Sequence, residues 1–348
     1  MTRRAQLGAR VLVPFVCVAV AATAVGATVA GAVEQRTLKL AAVSPDGTLW
    51  SRELHATAQE VESGTEGAVH LKLYLGAVAG DETEVAERID KGQLDGVASA
   101  GVLCDRVSPT LRAIAIPGLF KTREEAVRVS QKLRPTMDQE SQAAGFALLG
   151  VTTLGQDVLF TRAPVRSLAE LKKQRLWRWD GDDAGIATAR AMGLTVVPTP
   201  VHEAMKAIEA ARIDGFMAIP TAAVAFQWST RTRYLTPLRA GHLNGCILVA
   251  NRSFDRLPIE HQQVLRGAVA KLASRLEEIS RRDDDALVGG LFAKQGLTVV
   301  APSAAFSAEF YVAAEKAREA VSDKLVPKAI LDRVLKALGE DRVAVRPR

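Results

Sequence analysis

Apolar residues in this chain come in short runs, separated by stretches that carry polar residues at helical spacing. Residues 69–75 (Val-His-Leu-Lys-Leu-Tyr-Leu) alternate strictly, the period-two pattern of a strand with one face in a core. Residues 38–43, 146–151, 247–250 and 297–300 are apolar runs of strand length. The first ends at Ser44-Pro45-Asp46-Gly47, a turn sequence. Between the runs the period changes. Leu49, Leu54, Ala58 and Val61 fall near one helical face behind Thr48, which is suited to cap it. Residues 81–91 turn Val85 and Ile89 inward, 122–133 turn charges outward, and Ser167 with Glu170 forms a capping box for a helix over 168–172. Residues 258–289 read as one long helical segment and 304–320 as another, after which the basic C-terminus is expected to fray. Strands and helices alternate throughout, so the fold class is α/β. Gly92-Gln93-Leu94-Asp95-Gly96 is echoed by Arg212-Ile213-Asp214-Gly215, which suggests two lobes of similar build.

The stretch 171–215 organises the rest. A basic approach ending at Arg175 leads into an aromatic strand over 176–179 and an acidic turn, Asp180-Gly181-Asp182-Asp183. The last of these is placed to cap the helix that follows. That small-residue helix stops at Gly193. A strand ending near Pro198, a helix opening at Thr199-Pro200 and Ile213-Asp214-Gly215 come next. Strand, helix, strand, helix is the pattern of a right-handed parallel crossover unit. In such sheets ligands bind beyond the carboxyl ends of the strands. Trp177 and Trp179 lie at such an end and share a strand face. They are the leading candidates for ligand contact, with core packing as the plain alternative. Arg175 has the same parity and is expected near the mouth of a cleft, unless it is an ordinary surface arginine.

Composition changes the picture mainly at the N-terminus. The formal net charge is +6, and without Arg3, Arg4 and Arg10 the rest carries +3. Basic and acidic residues are interspersed, which argues against a nucleic-acid surface. A basic segment to Arg10, an apolar run from Val11 to about Ala30 and Ala30-Gly31-Ala32 read as an export signal over 1–32, cleaved near Ala32. A retained membrane anchor is the alternative. Cys104 and Cys246 then remain, either paired or, as expected here, two buried thiols. The five histidines are scattered, and His202-Glu203 lacks the second histidine of a zinc-protease helix. There is no Gly-x-Ser-x-Gly elbow, phosphate-binding glycine loop or Cys-x-x-Cys. No enzyme, metal or cofactor is expected. The run Arg281 to Asp285 reads as a solvated helix face.

Several landmarks occur in a fixed order: Thr65-x-Gly67, Gly76 to Glu82, Gly92-x-Leu94-Asp95-Gly96, Pro117-x-Leu119-Phe120 and Leu168-x-x-Leu171-Lys172, then Gly193, Pro198, Glu203 and Ile213-Asp214-Gly215. In this order the chain resembles the DctP-like solute receptors of tripartite ATP-independent periplasmic (TRAP) transporters over about residues 38–325. The resemblance implies a two-lobed periplasmic binding protein fold with a ligand cleft between the lobes and a long bridging helix. It implies lobe I over 37–155 and 243–285, lobe II over 156–242 and 286–330, and a C-terminal tail over 331–348. The implied function is capture of a small molecule by hinge closure and its delivery to membrane permease subunits. Family members usually read Leu-Lys-Gly-x-Lys-Ile-Arg, whose arginine clamps the ligand carboxylate. An ungapped match puts Trp177 in that place, and a one-residue insertion puts Arg178 there. Phe216-Met217-Ala218-Ile219-Pro220 is apolar where relatives often carry polar groups, though Phe216 and Met217 also suit a core. The cleft is therefore expected to be greasy and its ligand apolar, aromatic or lipid-like, since an unpaired buried carboxylate costs several kcal/mol. The alternatives are an ordinary organic acid bound through Arg178, an exported carrier or enzyme on the same scaffold, and a receptor serving a different partner. Trp50 and Glu82 stand at the expected cleft rim and complete the candidate ligand contacts.

Overall fold

The computed structural model describes residues 35–345. The export-signal stretch over 1–32 lies outside the described residues. Among these residues eleven strands make two sheets. The first holds β1 (Arg36–Ala42), β2 (Val69–Leu75), β3 (Gly96–Ser99), β4 (Phe146–Gln156) and, returning later, a strand over His242–Ala250. The second holds β5 (Val158–Thr161), β6 (Arg175–Trp179), β7 (Thr195–Thr199), β8 (Gly215–Ala218), β9 (Tyr234–Thr236) and a short strand over Thr298–Val299. The returning strand is β10 and the last is β11.

The sheet orders are β2-β1-β3-β10-β4 and β11-β9-β5-β8-β6-β7. β1 runs parallel to β2 and β3, while β10 lies antiparallel between β3 and β4. β6 runs parallel to β7 and β8, with Trp177 opposite Val197 and Phe216. Helices Leu49–Gly64 and Glu82–Asp90 link the parallel strands of the first sheet, and Asp183–Ala191 and Val201–Glu209 those of the second. These are the crossover units expected from the alternating period.

Among the described residues four segments pass between the sheets, one of them residues 322–327, which lead from the helix Ala304–Val321 on the second sheet to the helix Lys328–Ala344 on the first. Asp157 alone separates β4 from β5. Residues 237–241 carry the chain back from β9 to β10. The two crossings bond to each other, Asp157 N to Gly241 O and Ala240 N to Asp157 O, both 2.9 Å. The third crossing is the long helix Ile259–Ala286 with the wide turn Leu287–Leu291, where Gly290 takes φ 148°, a conformation few other residues adopt. Val97, Leu111, Met137 and Leu248 fill one face of the first sheet, and Leu40, Val69, Leu149 and Val269 the other. Phe160, Phe216, Trp228 and Phe292 fill one face of the second, and Leu159, Leu171, Phe306 and Phe310 the other.

Five expectations are corrected. Cys104 and Cys246 form a disulfide, tying helix Val102–Val107 to β10. The C-terminus does not fray within the described residues: Lys328–Ala344 is a helix burying Leu331, Val334, Ala337 and Leu338. These residues join the core of the first sheet, and Arg128–Asp341 and Arg342–Glu125 ion pairs hold the helix from outside. The helix expected over 122–133 runs as Arg123–Ala143, straight through Pro135. The cap of Asp183–Ala191 is Asp182, whose side chain accepts from Gly185 N at 2.8 Å. Asp284, in the run read as solvated, is buried; it accepts from Thr221 N at 3.1 Å and faces Arg123 at 3.9 Å.

Candidate functional site

Between the two sheets lies a cleft with a cavity of about 170 Å³. It is placed where fold reasoning puts it, beyond the carboxyl ends of β6 and β8. All four tryptophans of the chain line it: Trp50, Trp177, Trp179 and Trp228. Phe226, Met217, Ile219 and Leu276 extend the apolar wall. The floor is charged, with Arg178, Asp105, Asp157 and Asp182.

Strand alternation sorts β6. Trp177 and Trp179 point to one side and Arg178 to the other. Trp177 is 7% exposed, its ring 4.7 Å from that of Trp228, and its Nε1 donates to the Thr199 carbonyl at 3.0 Å. One edge of its indole belongs to the second sheet's core and the other to the cleft. Trp179 Nε1 donates to Asp81 Oδ1 at 2.8 Å. Asp81 also caps helix Glu82–Asp90 in a capping box, and its other oxygen accepts from Val201 N at 2.9 Å. One carboxylate thus ties the first sheet's helix to two elements of the second.

Arg178 pairs with Asp182 four residues on, and its Nε has no partner. Burial works against its charge, yet Asp182, Asp157 and Asp105 hold its pKa above the ordinary value. Among the described residues the carboxylates of Asp157 and Asp105 make no hydrogen bond or ion pair. Burial pushes Asp157 up to about 6, with Arg178 pulling the other way. Burial, reinforced by Asp182, holds Asp105 well above the usual carboxylate range. The crossing strand β10 adds two polar groups. His242 is 5% exposed with Nε2 unpartnered, and burial pushes it down to about 4, so it is neutral at neutral pH. Asn244 is 2% exposed; its Oδ1 accepts from the Thr153 hydroxyl at 3.3 Å and its Nδ2 has no partner. Buried polar groups are normally paired, and Arg178, His242 and Asn244 each turn an unpaired atom to this one cavity.

Of the residues singled out from sequence, Trp50, Trp177, Trp179, Arg178 and Met217 come together on the cleft. Three do not. Arg175 is exposed and grips Asp214 through Nε and Nη2 at 2.8 and 2.6 Å. Phe216 is fully buried and stacked on Phe160 at 4.9 Å, a core residue of the second sheet. Glu82 is 1% exposed and turned inward, accepting from Ser99 Oγ at 2.6 Å, Ala100 N at 2.5 Å and Leu103 N at 2.8 Å. Burial pushes its pKa up to about 7. The cleft expected to be greasy is so only in part, because charged side chains share its wall with the aromatic ones. Sequence reasoning missed Asp105, Asp157, Asp182, His242 and Asn244. Only Asp157 had a visible signal, a lone carboxylate between Val151–Gln156 and Val158–Phe160.

Two sheets joined by crossing strands around such a cleft define a two-lobed solute receptor. The chain belongs to the DctP family of TRAP solute receptors, bacterial extracellular solute-binding protein family 7, whose model matches residues 40–324. It is 22% identical over 237 residues to the 2,3-diketo-L-gulonate-binding periplasmic protein YiaO of Escherichia coli, covering 66% of this chain and 71% of that one. Among solved structures it superposes with a TM-score of 0.80 on DctP7 of Bordetella pertussis, a receptor binding pyroglutamic acid, at 21% identity over 87% of this chain and 99% of that one. A TRAP receptor of Desulfovibrio salexigens with bound orotic acid gives a TM-score of 0.81 at 17% identity, covering 88% and 99%.

Proposed function

We propose that this chain is the extracytoplasmic receptor of a TRAP-type secondary transporter and that it captures a small organic acid through Arg178. The observation that carries this is a guanidinium held in the cleft with an unpaired Nε beside a cavity. A buried carboxylate needs such a partner, and the planar fork of arginine gives it orientation as well as charge. Asp182 pairs with part of that fork, so the acid shares or displaces it. The tryptophan walls hold the apolar remainder of the ligand. Pyroglutamate and orotate in similarly folded receptors, and the diketo-gulonate of the E. coli relative, support an acid over the lipid-like compound that the apolar stretches suggest. Closure is a rotation of the two lobes about Asp157 and residues 237–241, trapping the ligand for hand-over to permease subunits. Lobe I then comprises 37–155 and 243–285 with helix Lys328–Ala344 added, and lobe II 156–242 and, of the expected 286–330, the part before that helix. The site of action is periplasmic; among the described residues no helix is long and apolar enough to cross a membrane.

Native mass spectrometry of the purified protein, followed by extraction of what co-purifies, tests this. The expected result is an organic acid whose affinity drops by about 2–5 kcal/mol in Arg178→Gln. A neutral lipid-like compound that binds wild type and Arg178→Gln equally overturns it.

A further inference from the structure

The unpaired groups in the cleft are of two kinds, and one kind is unused by an acid. Arg178 Nε, Asn244 Nδ2 and Trp50 Nε1 are donors without acceptors. A ligand carboxylate answers these. The carboxylates of Asp157 and Asp105 are acceptors that no described residue answers, and both line the same cavity. Asp157 stands on the crossing between the sheets and lines the cavity there. A ligand bearing only a carboxylate would leave both acidic groups without a hydrogen-bond partner and add its negative charge beside Asp157 and Asp182. Such a like-charge juxtaposition costs several kcal/mol.

We infer that the ligand is a zwitterion of amino-acid size, its carboxylate on Arg178 and its protonated nitrogen on Asp157, facing Asp105. This deepens the acid-receptor reading and rests on it. The remaining walls agree. The rings of Trp50, Trp228 and Phe226 surround the cavity, and the face of an aromatic ring, tryptophan above all, attracts a cation. Asn244, nine-tenths buried and with a free amide N–H, sits on β10 as a second donor for the carboxylate end. Charge and hydrogen bonds then close on one molecule, which neither a plain acid nor a plain amine achieves.

The test uses matched pairs on the full mature protein: the common L-amino acids and N-methylated betaines, each against its deaminated carboxylic acid, by calorimetry. At least one zwitterion is expected to bind roughly tenfold or more tighter than its deaminated partner, and Asp157→Asn is expected to erase that ratio. Unfolding temperature checks that the variant folds, and the pair comparison on the wild type stands without it. If no zwitterion outbinds its deaminated partner, the inference is overturned. If a deaminated acid binds best and loses affinity in Arg178→Gln, the acid-receptor reading survives that failure. If Arg178→Gln leaves every binding unchanged, both fall.

Discussion

On the proposed reading Asp182 competes with the ligand for Arg178, and replacing it with asparagine separates that competition from the structural duties of the side chain. The side chain does two things: it pairs with Arg178, and it caps helix Asp183–Ala191 through Gly185 N at 2.8 Å. Asparagine caps about as well as aspartate, so the helix start is kept. What goes is one negative charge beside the anion site. A ligand carboxylate on the free edge of the guanidinium sits about 5 Å from Asp182, and two like charges at that distance repel by about 3 kcal/mol at an effective dielectric constant of about 20. Relaxation and solvent reduce this, so Asp182→Asn is expected to tighten binding of the native acid by about tenfold to about 100-fold. Calorimetric titration with the compound extracted from the wild type reads it directly. Salt dependence gives a second reading, since the gain should survive in moderate salt for a site this enclosed. Unchanged or weaker binding, with an unfolding temperature like the wild type's, would refute the idea that Asp182 holds the ligand's place.

Three further outcomes follow from the fold. Asp284 titrates at about 7 because it is buried, against 3.8 when free, so the folded state binds more protons between those values and loses stability as pH rises through them. Asp284→Asn keeps an acceptor for Thr221 and should gain unfolding temperature relative to wild type as pH is raised through that window; a constant difference would contradict the assignment. Reducing the Cys104–Cys246 disulfide, which spans 142 residues, should lower stability by at most about 5 kcal/mol on the chain-entropy account. Melting with and without reductant measures this, and an identical melt would argue against the bond. Ending the chain after Leu325 removes Leu331, Val334 and Leu338 from the first sheet's core, each worth about 1.5–3 kcal/mol. That truncation should unfold well below the full chain, where a frayed tail would leave the melt unmoved.

Period alone settled a good deal of this protein. The strict alternation of residues 69–75 gave a strand, Thr48 and Ser167 gave helix starts that the structure keeps, and the 171–215 unit gave parallel strands whose ends border a cavity. Those features are local: a residue's neighbours three or four places away decide them. The cleft is not local. Glu82 sits beside the rim in sequence yet is drawn inward by three donors from the segment Ser99 to Leu103, a pairing that exists only once β3 is beside its helix. Arg175 and Arg178 are three places apart, and only the fold decides that one meets Asp214 on the surface and the other meets Asp182 in the cleft. Cys104 and Cys246 meet because β10 returns between β3 and β4 after a long excursion. Asp105, Asp157 and Asp182 come from a helix, a crossing and a cap, and their shared field arises from burial and proximity, which no spacing in the chain encodes.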